Sequence, residues 1–441
     1  MNYFINLIRD LKIKLHQRNK ILIDVIWSLL ATIIVGVSAL LIQTIIGVFF
    51  DVASIGLYSQ VIAFYAILVS LGNFGIENSV LKHAAEFSEN KHKLKQIYTS
   101  SIILTSISSL LIVVISAIIL TYKSSVFSSL EVVNGLLYCL PGIFFFSLNK
   151  NSNIFDSGLR NIKAYSIVRI SRWLMIVILL IYFITYNYNF TYVFLSFSIV
   201  EFIIFIYFLI SHFYFLSKIS DYNWFKIHFR YGYTNFLASV VSIFSSNLLI
   251  LISGYYLTKL ELGIISFIMA FTISFIVISS AIQINFNPIF AKKWVTNEIQ
   301  EIKKLIKKIF KNILPLFIPA LFFVSIIYYV YVVVFMPVEF KSTFALFFII
   351  LLGQGLYFLF SWPSTMLFLA GYIKQNLVRN IIIIILNVSV SFCLISLFGI
   401  NGVAISSILI SVSSIIITYY FIKKYLRLDI INLIKSCKNN V

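Results

Sequence analysis

The chain has 441 residues, of which 61% are hydrophobic and 11% charged, with a mean hydropathy of +1.00. No soluble domain has enough interior to bury that much apolar surface, so the surplus faces lipid and an all-α integral membrane protein is expected. A formal net charge of +19 would otherwise point to nucleic acid, but the basic residues are placed as a membrane protein places them.

The first twenty residues (1–20) are polar and basic and read as a cytoplasmic N-terminal segment. No small-residue cleavage site follows the first apolar run, so no cleavable signal is expected. A span needs about 20 apolar residues. Twelve such runs follow, at about 21–48, 54–78, 97–120, 131–150, 164–186, 190–215, 231–256, 261–287, 312–335, 342–370, 374–397 and 400–422. The connections hold turn formers, such as Gly371-Tyr372 and Phe398-Gly399-Ile400-Asn401-Gly402.

The stretch Ser28 to Ala84 returns without a gap 207 residues later, as Asn235 to Ala291. Gly47 falls on Gly254, Gly56 on Gly263, Asn78 on Asn285 and Ala84 on Ala291. An internal repeat of this length implies two similar halves. They are read as a six-helix bundle at 21–217, a cytoplasmic linker at 218–230, a second six-helix bundle at 231–422 and a cytoplasmic tail at 423–441.

An even number of spans puts both termini on one side. With that side inside, 31 of the 34 Lys and Arg fall in inner segments, leaving Lys123, Lys259 and Lys341 outside. The positive-inside rule is then met at every loop. The longest inner connection, Lys292 to Lys311, carries Glu298, Glu301, Lys304 and Lys308 at helical spacing, with Ile302, Leu305, Ile306 and Ile309 opposite. It reads as an amphipathic helix on the cytoplasmic face.

Charges inside spans are costly, by about 2.5–3.5 kcal/mol each on insertion scales, and mark candidate sites. Glu201 lies near the middle of span six, too far from either surface to snorkel. It reads either as a cavity group that couples protons or binds sugar, or as a structural acid between helices. Arg169 and Arg172 are three apart on span five, with Arg160 and Lys163 before them. A guanidinium pair can grip phosphate through two-pronged hydrogen bonds, or its stems can snorkel as anchors. Asp24 opens span one and Glu77 closes span two, followed by Lys82-His83; all read more readily as interfacial groups than as ion-coupling ones. Asn78, Gln283, Asn285 and Asn287 bring amides to corresponding ends of spans two and eight, which fits a lined cavity. Pro315 with Pro319, and Trp362-Pro363, are expected to bend spans nine and ten. The many Tyr and Phe read mainly as lipid-facing or belt residues. Three scattered Cys (Cys139, Cys393, Cys437) form no C-x-x-C, the His residues form no H-E-x-x-H, and there is no Walker sequence. No enzyme chemistry, metal or cofactor is expected.

Gly56-Leu57-Tyr58 after span one, then Leu71-Gly72-Asn73-Phe74-Gly75-Ile76-Glu77-Asn78-Ser79 closing span two, resembles the polysaccharide-biosynthesis flippases of the MOP superfamily. Gly399-Ile400-Asn401-Gly402-Val403-Ala404 resembles that family's junction before the last span, and Gly158-Leu159-Arg160 its link between spans four and five. The resemblance implies a V-shaped pair of six-helix bundles working by alternating access in a bacterial inner membrane. It implies a substrate of undecaprenyl-diphosphate-linked oligosaccharide, as in O-antigen flippases of the Wzx type, and polymerase and chain-length proteins as partners. Drug-extruding relatives use an acid deep in span one, whereas Asp24 is at its edge. Lipid II flippases of the superfamily typically add two further spans, for which no room is expected. Two alternatives stay open: a multidrug or ion-coupled exporter of the same fold, and a membrane O-antigen polymerase. Short outer loops speak against the polymerase.

Overall fold

Backbone crossing lipid must satisfy its own N–H and C=O groups, which leaves helices or closed barrels. The computed structural model describes residues 2–122, 127–218, 221–272 and 276–438 and holds no strand among them. In chain order its helices are α1 (Asn2–Phe49), α2 (Val52–Asn73), α3 (Ile76–Glu86), α4 (Lys91–Tyr122), α5 (Leu130–Gly158), α6 (Ile162–Thr185) and α7 (Leu195–Ser211). There follow α8 (Asn223–Tyr256), α9 (Lys259–Thr272), α10 (Ile276–Val295), α11 (Ile299–Phe335), α12 (Phe344–Phe360), α13 (Met366–Leu369), α14 (Ile373–Leu426) and α15 (Ile430–Lys438).

Among the described residues nine helices, or ten if the bent pair α12–α13 is one span, are long and apolar enough to cross a membrane. The sequence reads as twelve spans, and two features account for the difference. α14 joins spans eleven and twelve across Gly399, whose φ of 54° and ψ of −132° are not helical. Span eight is divided between α9 and α10 and passes through 273–275, which lie outside the described residues.

Packing gathers the chain into two compact units. The first comprises Met1–Ile42 and Phe64–Val240, the second Gln43–Ala63 and Val241–Val441. The units therefore do not follow chain order: the end of α1 and start of α2 go with the second, and the first half of α8 with the first.

In the first unit α5 is the central helix, packed against α3, α4, α6 and α7. α2 ends where Phe74 and Gly75 take left-handed φ values of 49° and 68°. A Cβ on Gly75 would stand 2.6 Å from the Gly232 carbonyl oxygen, so this turn requires glycine. α8 is fastened there by Phe74 stacked on Phe229 and Phe236. His228 Nδ1 lies 2.8 Å from the Ser79 hydroxyl and its Nε2 3.2 Å from the Ile97 carbonyl.

In the second unit α12 packs along α14, and a core of Phe286, Phe290, Ile302, Phe310, Trp362 and Ile422 ties α10, α11 and α14 together. Asp51 caps α2, accepting from the Ser54 N–H at 2.6 Å. The repeat-related Gly56 and Gly263 then meet directly: a Cβ on Gly56 would be 2.8 Å from the Gly263 nitrogen. The amphipathic stretch is not a separate surface helix. It forms the first turns of α11, a 37-residue helix with Ile302, Ile306 and Phe310 buried. At 1.5 Å per residue such a helix spans about 56 Å, well beyond a hydrocarbon core of about 30 Å. α11 runs through Pro315 and Pro319 as one helix, whereas the chain bends by 44° between α12 and the Trp362–Leu369 segment.

Candidate functional site

α5 starts apolar and ends polar. Ser147, Asn149, Asn151, Ser152, Asn153 and Asp156 are all buried along its last turns. The helices around it supply partners. Asn151 Nδ2 donates to Thr105 Oγ1 on α4. Lys150 Nζ meets Glu77 Oε1 on α3 at 2.9 Å. The Tyr98 and Ser152 hydroxyls are 2.8 Å apart, and His212 Nε2 lies 3.3 Å from Asp156 Oδ1.

These partners do not saturate the wall. Both side-chain atoms of Asn73, Glu77 Oε2, and the Oδ1 atoms of Asn149, Asn151 and Asn153 are buried without a hydrogen-bond partner in the protein. Each unmet group costs about 1–3 kcal/mol unless something else satisfies it. Six such atoms on three adjoining helices suit water or a hydroxyl-rich solute, not a dry helix interface.

The two charges read separately from the sequence form one pair. Arg172 on α6 donates from Nε to Glu201 Oε1 on α7 at 2.5 Å, and from Nη2 to Oε2 at 3.3 Å. Asn149 Nδ2 donates to Glu201 Oε2 at 2.8 Å and to the Glu201 carbonyl oxygen at 2.8 Å. The guanidinium also lies 4.5 Å over the Phe146 ring. With Glu201 1% and Arg172 9% exposed, the charges neutralise each other inside the unit.

Arg172 and Arg169 are therefore not offered together to one ligand. Arg169 sits half-buried, 5.6 Å over the Tyr165 ring. Arg160 reaches Asp24 at 3.8 Å with its side chain 59% exposed. Glu77 is held by Lys150, and Asn78 is half-buried on α3. In the second unit Gln283 Nε2 donates to the Trp362 carbonyl at 3.3 Å, and Asn287 accepts from Thr365 at 2.9 Å. The Asn285 side chain lies outside the described residues.

Two features were not singled out from the sequence. The polar wall was visible as six polar residues in the seven from Ser147 to Asn153, but Lys150 reads as a cytoplasmic anchor that ends the span. Arg379 likewise reads as an anchor. It is 6% exposed and donates to the Ser364 carbonyl at 2.7 Å and to Asn380 Oδ1 at 2.7 Å. No carboxylate pairs with it among the described residues. Nor do the described residues bring three His, Cys, Asp or Glu together as a metal site.

This arrangement can be set against known proteins. The solved structure of the lipid II flippase MurJ, inward closed conformation, superposes with a TM-score of 0.74 at 16% identity, covering 94% of this chain and 90% of that one. An inward-facing multidrug resistance MATE family transporter of the MOP superfamily gives 0.67 at 15% identity over 92% of this chain and 99% of that one. A mutant form of the Vibrio cholerae MATE transporter VcmN gives 0.67 at 13% identity over 93% of this chain and 97% of that one. At these identities the likeness establishes the fold, an all-α membrane architecture of the MOP type. No curated protein matches the chain. The model of the family described as "Polysaccharide biosynthesis protein" matches residues 21–268, more than half of the chain. On that match, the chain belongs to the polysaccharide biosynthesis protein family.

Proposed function

We propose that the protein is a flippase moving a lipid-linked oligosaccharide, of the undecaprenyl-diphosphate type, across a bacterial inner membrane by alternating access. The observation that carries this reading is the buried polar wall of α5 with the adjoining Glu77 of α3, whose unmet amide and carboxylate oxygens suit sugar hydroxyls. Membership of a polysaccharide-biosynthesis family supports it. The lipid tail stays in the bilayer, so only the diphosphate and sugars need a polar path. In this reading the two six-helix bundles move against one another, and both termini are cytoplasmic.

Arg169 and Arg379 serve the diphosphate, since neither has a carboxylate partner among the described residues. Asn78, Gln283 and Asn285 are the amides proposed to contact the substrate. Glu201 and Arg172 form the group whose opening would couple an ion to the cycle, with Glu77, Asp24 and Arg160 nearer the basic end. An O-antigen unit is the proposed cargo, and a polymerase and chain-length proteins are the proposed partners.

The test uses inner-membrane vesicles from a strain with and without the gene, and a membrane-impermeant glycosidase that reports lipid-linked sugar on the far leaflet. Translocation restored by the gene, and lost in Arg379→Gln, supports the reading and the site. Unchanged translocation with shortened polysaccharide chains in the deletion strain would move the assignment to polymerisation.

A further inference from the structure

The basic end of the second unit holds a cavity built from that unit's own helices. It measures about 670 Å³ and is bordered by the end of α10, the start of α11 and the end of α14. Three cations line it, Lys303, Lys424 and Arg427, with three aromatic side chains, Trp294, Tyr372 and Tyr425. The nearby carboxylates are taken by other lysines: Glu298 by Lys293 at 2.6 Å, Glu301 by Lys304 at 2.8 Å and Asp429 by Lys423 at 2.7 Å. Among the described residues none of the three lining cations makes a salt bridge. Lys424 lies 5.5 Å over the Tyr425 ring.

The position of these cations is built, not scattered. Arg427 follows α14 with a left-handed φ of 57°, which ends the helix, and Leu426 and Leu428 on either side of it are buried in the core. Lys303 is half-buried on α11, next to the buried Ile302. Three donors of one sign around a polar cavity match a phosphate, whose oxygens accept several charge-assisted hydrogen bonds.

A second cavity indicates what carries the phosphate. Further along the same two helices, α10 and α11 border an apolar cavity of about 370 Å³ lined by Phe286, Ile289, Leu305 and Ile309. The geometry points to a binding site for an anionic phospholipid, its phosphate held by Lys303, Lys424 and Arg427 and an acyl chain lying along α10 and α11. The site does not depend on the transport reading, because its occupant is a resident lipid and not the cargo.

The test takes the full chain in nanodiscs of phosphatidylcholine with a rising fraction of phosphatidylglycerol, and counts retained lipid by native mass spectrometry. Wild type is expected to retain phosphatidylglycerol selectively. Lys303→Gln/Lys424→Gln/Arg427→Gln is expected to weaken that retention about sixtyfold, since each basic side chain near a surface contributes on the order of fourfold. Lys304→Gln/Lys308→Gln/Lys311→Gln removes the same charge from exposed positions of α11 and is expected to change retention less than about twofold. Equal losses in the two triples would overturn the site, as would none in the first. Millimolar inorganic phosphate that displaces the lipid would assign the cavity to a soluble anion and overturn the lipid carrier; failure to displace it supports the lipid. Should the first triple not fold, Arg427→Gln alone is expected to lose about fourfold, and no loss there counts against the site.

Discussion

Arg172 on α6 and Arg379 on α14 are both buried arginines, one in each half of the chain. The first meets a carboxylate, Glu201, at 2.5 Å. Among the described residues the second meets only neutral oxygens, from Ser364 and Asn380. The same residue type therefore does different work in the two units. In the first unit the positive charge is cancelled on the spot, and what remains there is a neutral wall of amides and hydroxyls. In the second unit the charge survives, its field only partly offset by a carbonyl and an amide dipole. The residue opposite each buried cation decides which of the two still attracts an anion.

The largest effect that tests this contrast comes from breaking the neutral pair. Glu201→Ala leaves Arg172 buried and unpaired and is expected to cost about 3–5 kcal/mol, seen as a large fall in the Tm of the purified protein. Glu201→Leu with Arg172→Leu is expected to recover most of that loss, because a matched apolar pair replaces a matched ionic one. If the double variant is as unstable as the single, the pair is not self-contained and the comparison fails.

Next is the glycine contact. Gly263→Ala drives a Cβ into the Val52 carbonyl oxygen, a backbone atom that side-chain rotation cannot move. A loss of about 1–3 kcal/mol is expected, by thermal unfolding. Gly36→Ala, where no heavy atom lies within 4 Å, serves as its control, and the helical position is expected to gain slightly.

Arg379→Gln is expected to change Tm less than Glu201→Ala does, because it abolishes a buried charge instead of stranding one. Translocation, in contrast, is expected to fall at least as far as in Arg169→Gln. Stability loss equal to that of Glu201→Ala would show that Arg379 is also structural.

The smallest effect concerns pH. Burial and the neighbouring His83 push the His228 imidazole down from 6.5 to about 4, so it is neutral in the folded protein near pH 7. The unfolded chain takes up that proton below about 6.5. The stability contributed by the neutral imidazole is thus complete above pH 6.5 and declines as pH falls toward 4. His228→Asn is expected to flatten that part of the Tm-versus-pH curve.

Much of this architecture is legible in the sequence, since it follows from the cost of putting polar backbone and charge in lipid. The apolar runs, the repeat interval and the turn at Gly399 each correspond to a described helix or break. The site is less legible, for a specific reason. Arg172 and Glu201 each stand out as costly charges, but their pairing depends on how α6 and α7 are rotated against one another, and 29 residues separate them. The polar run after Ser147 is hidden because Lys150 imitates an anchor. Asn73, buried with both side-chain atoms unmet, looks in the sequence like an ordinary helix terminator beside Phe74-Gly75.

The turn inside α14 has a mechanical consequence. Gly399 kinks the chain sharply with no loop residues on either side, and a Cβ on Gly402 would collide with the Leu394 carbonyl oxygen. A connection this short has no slack. The last two spans are joined backbone to backbone, and the other break described in this unit is the 44° bend at Trp362-Pro363.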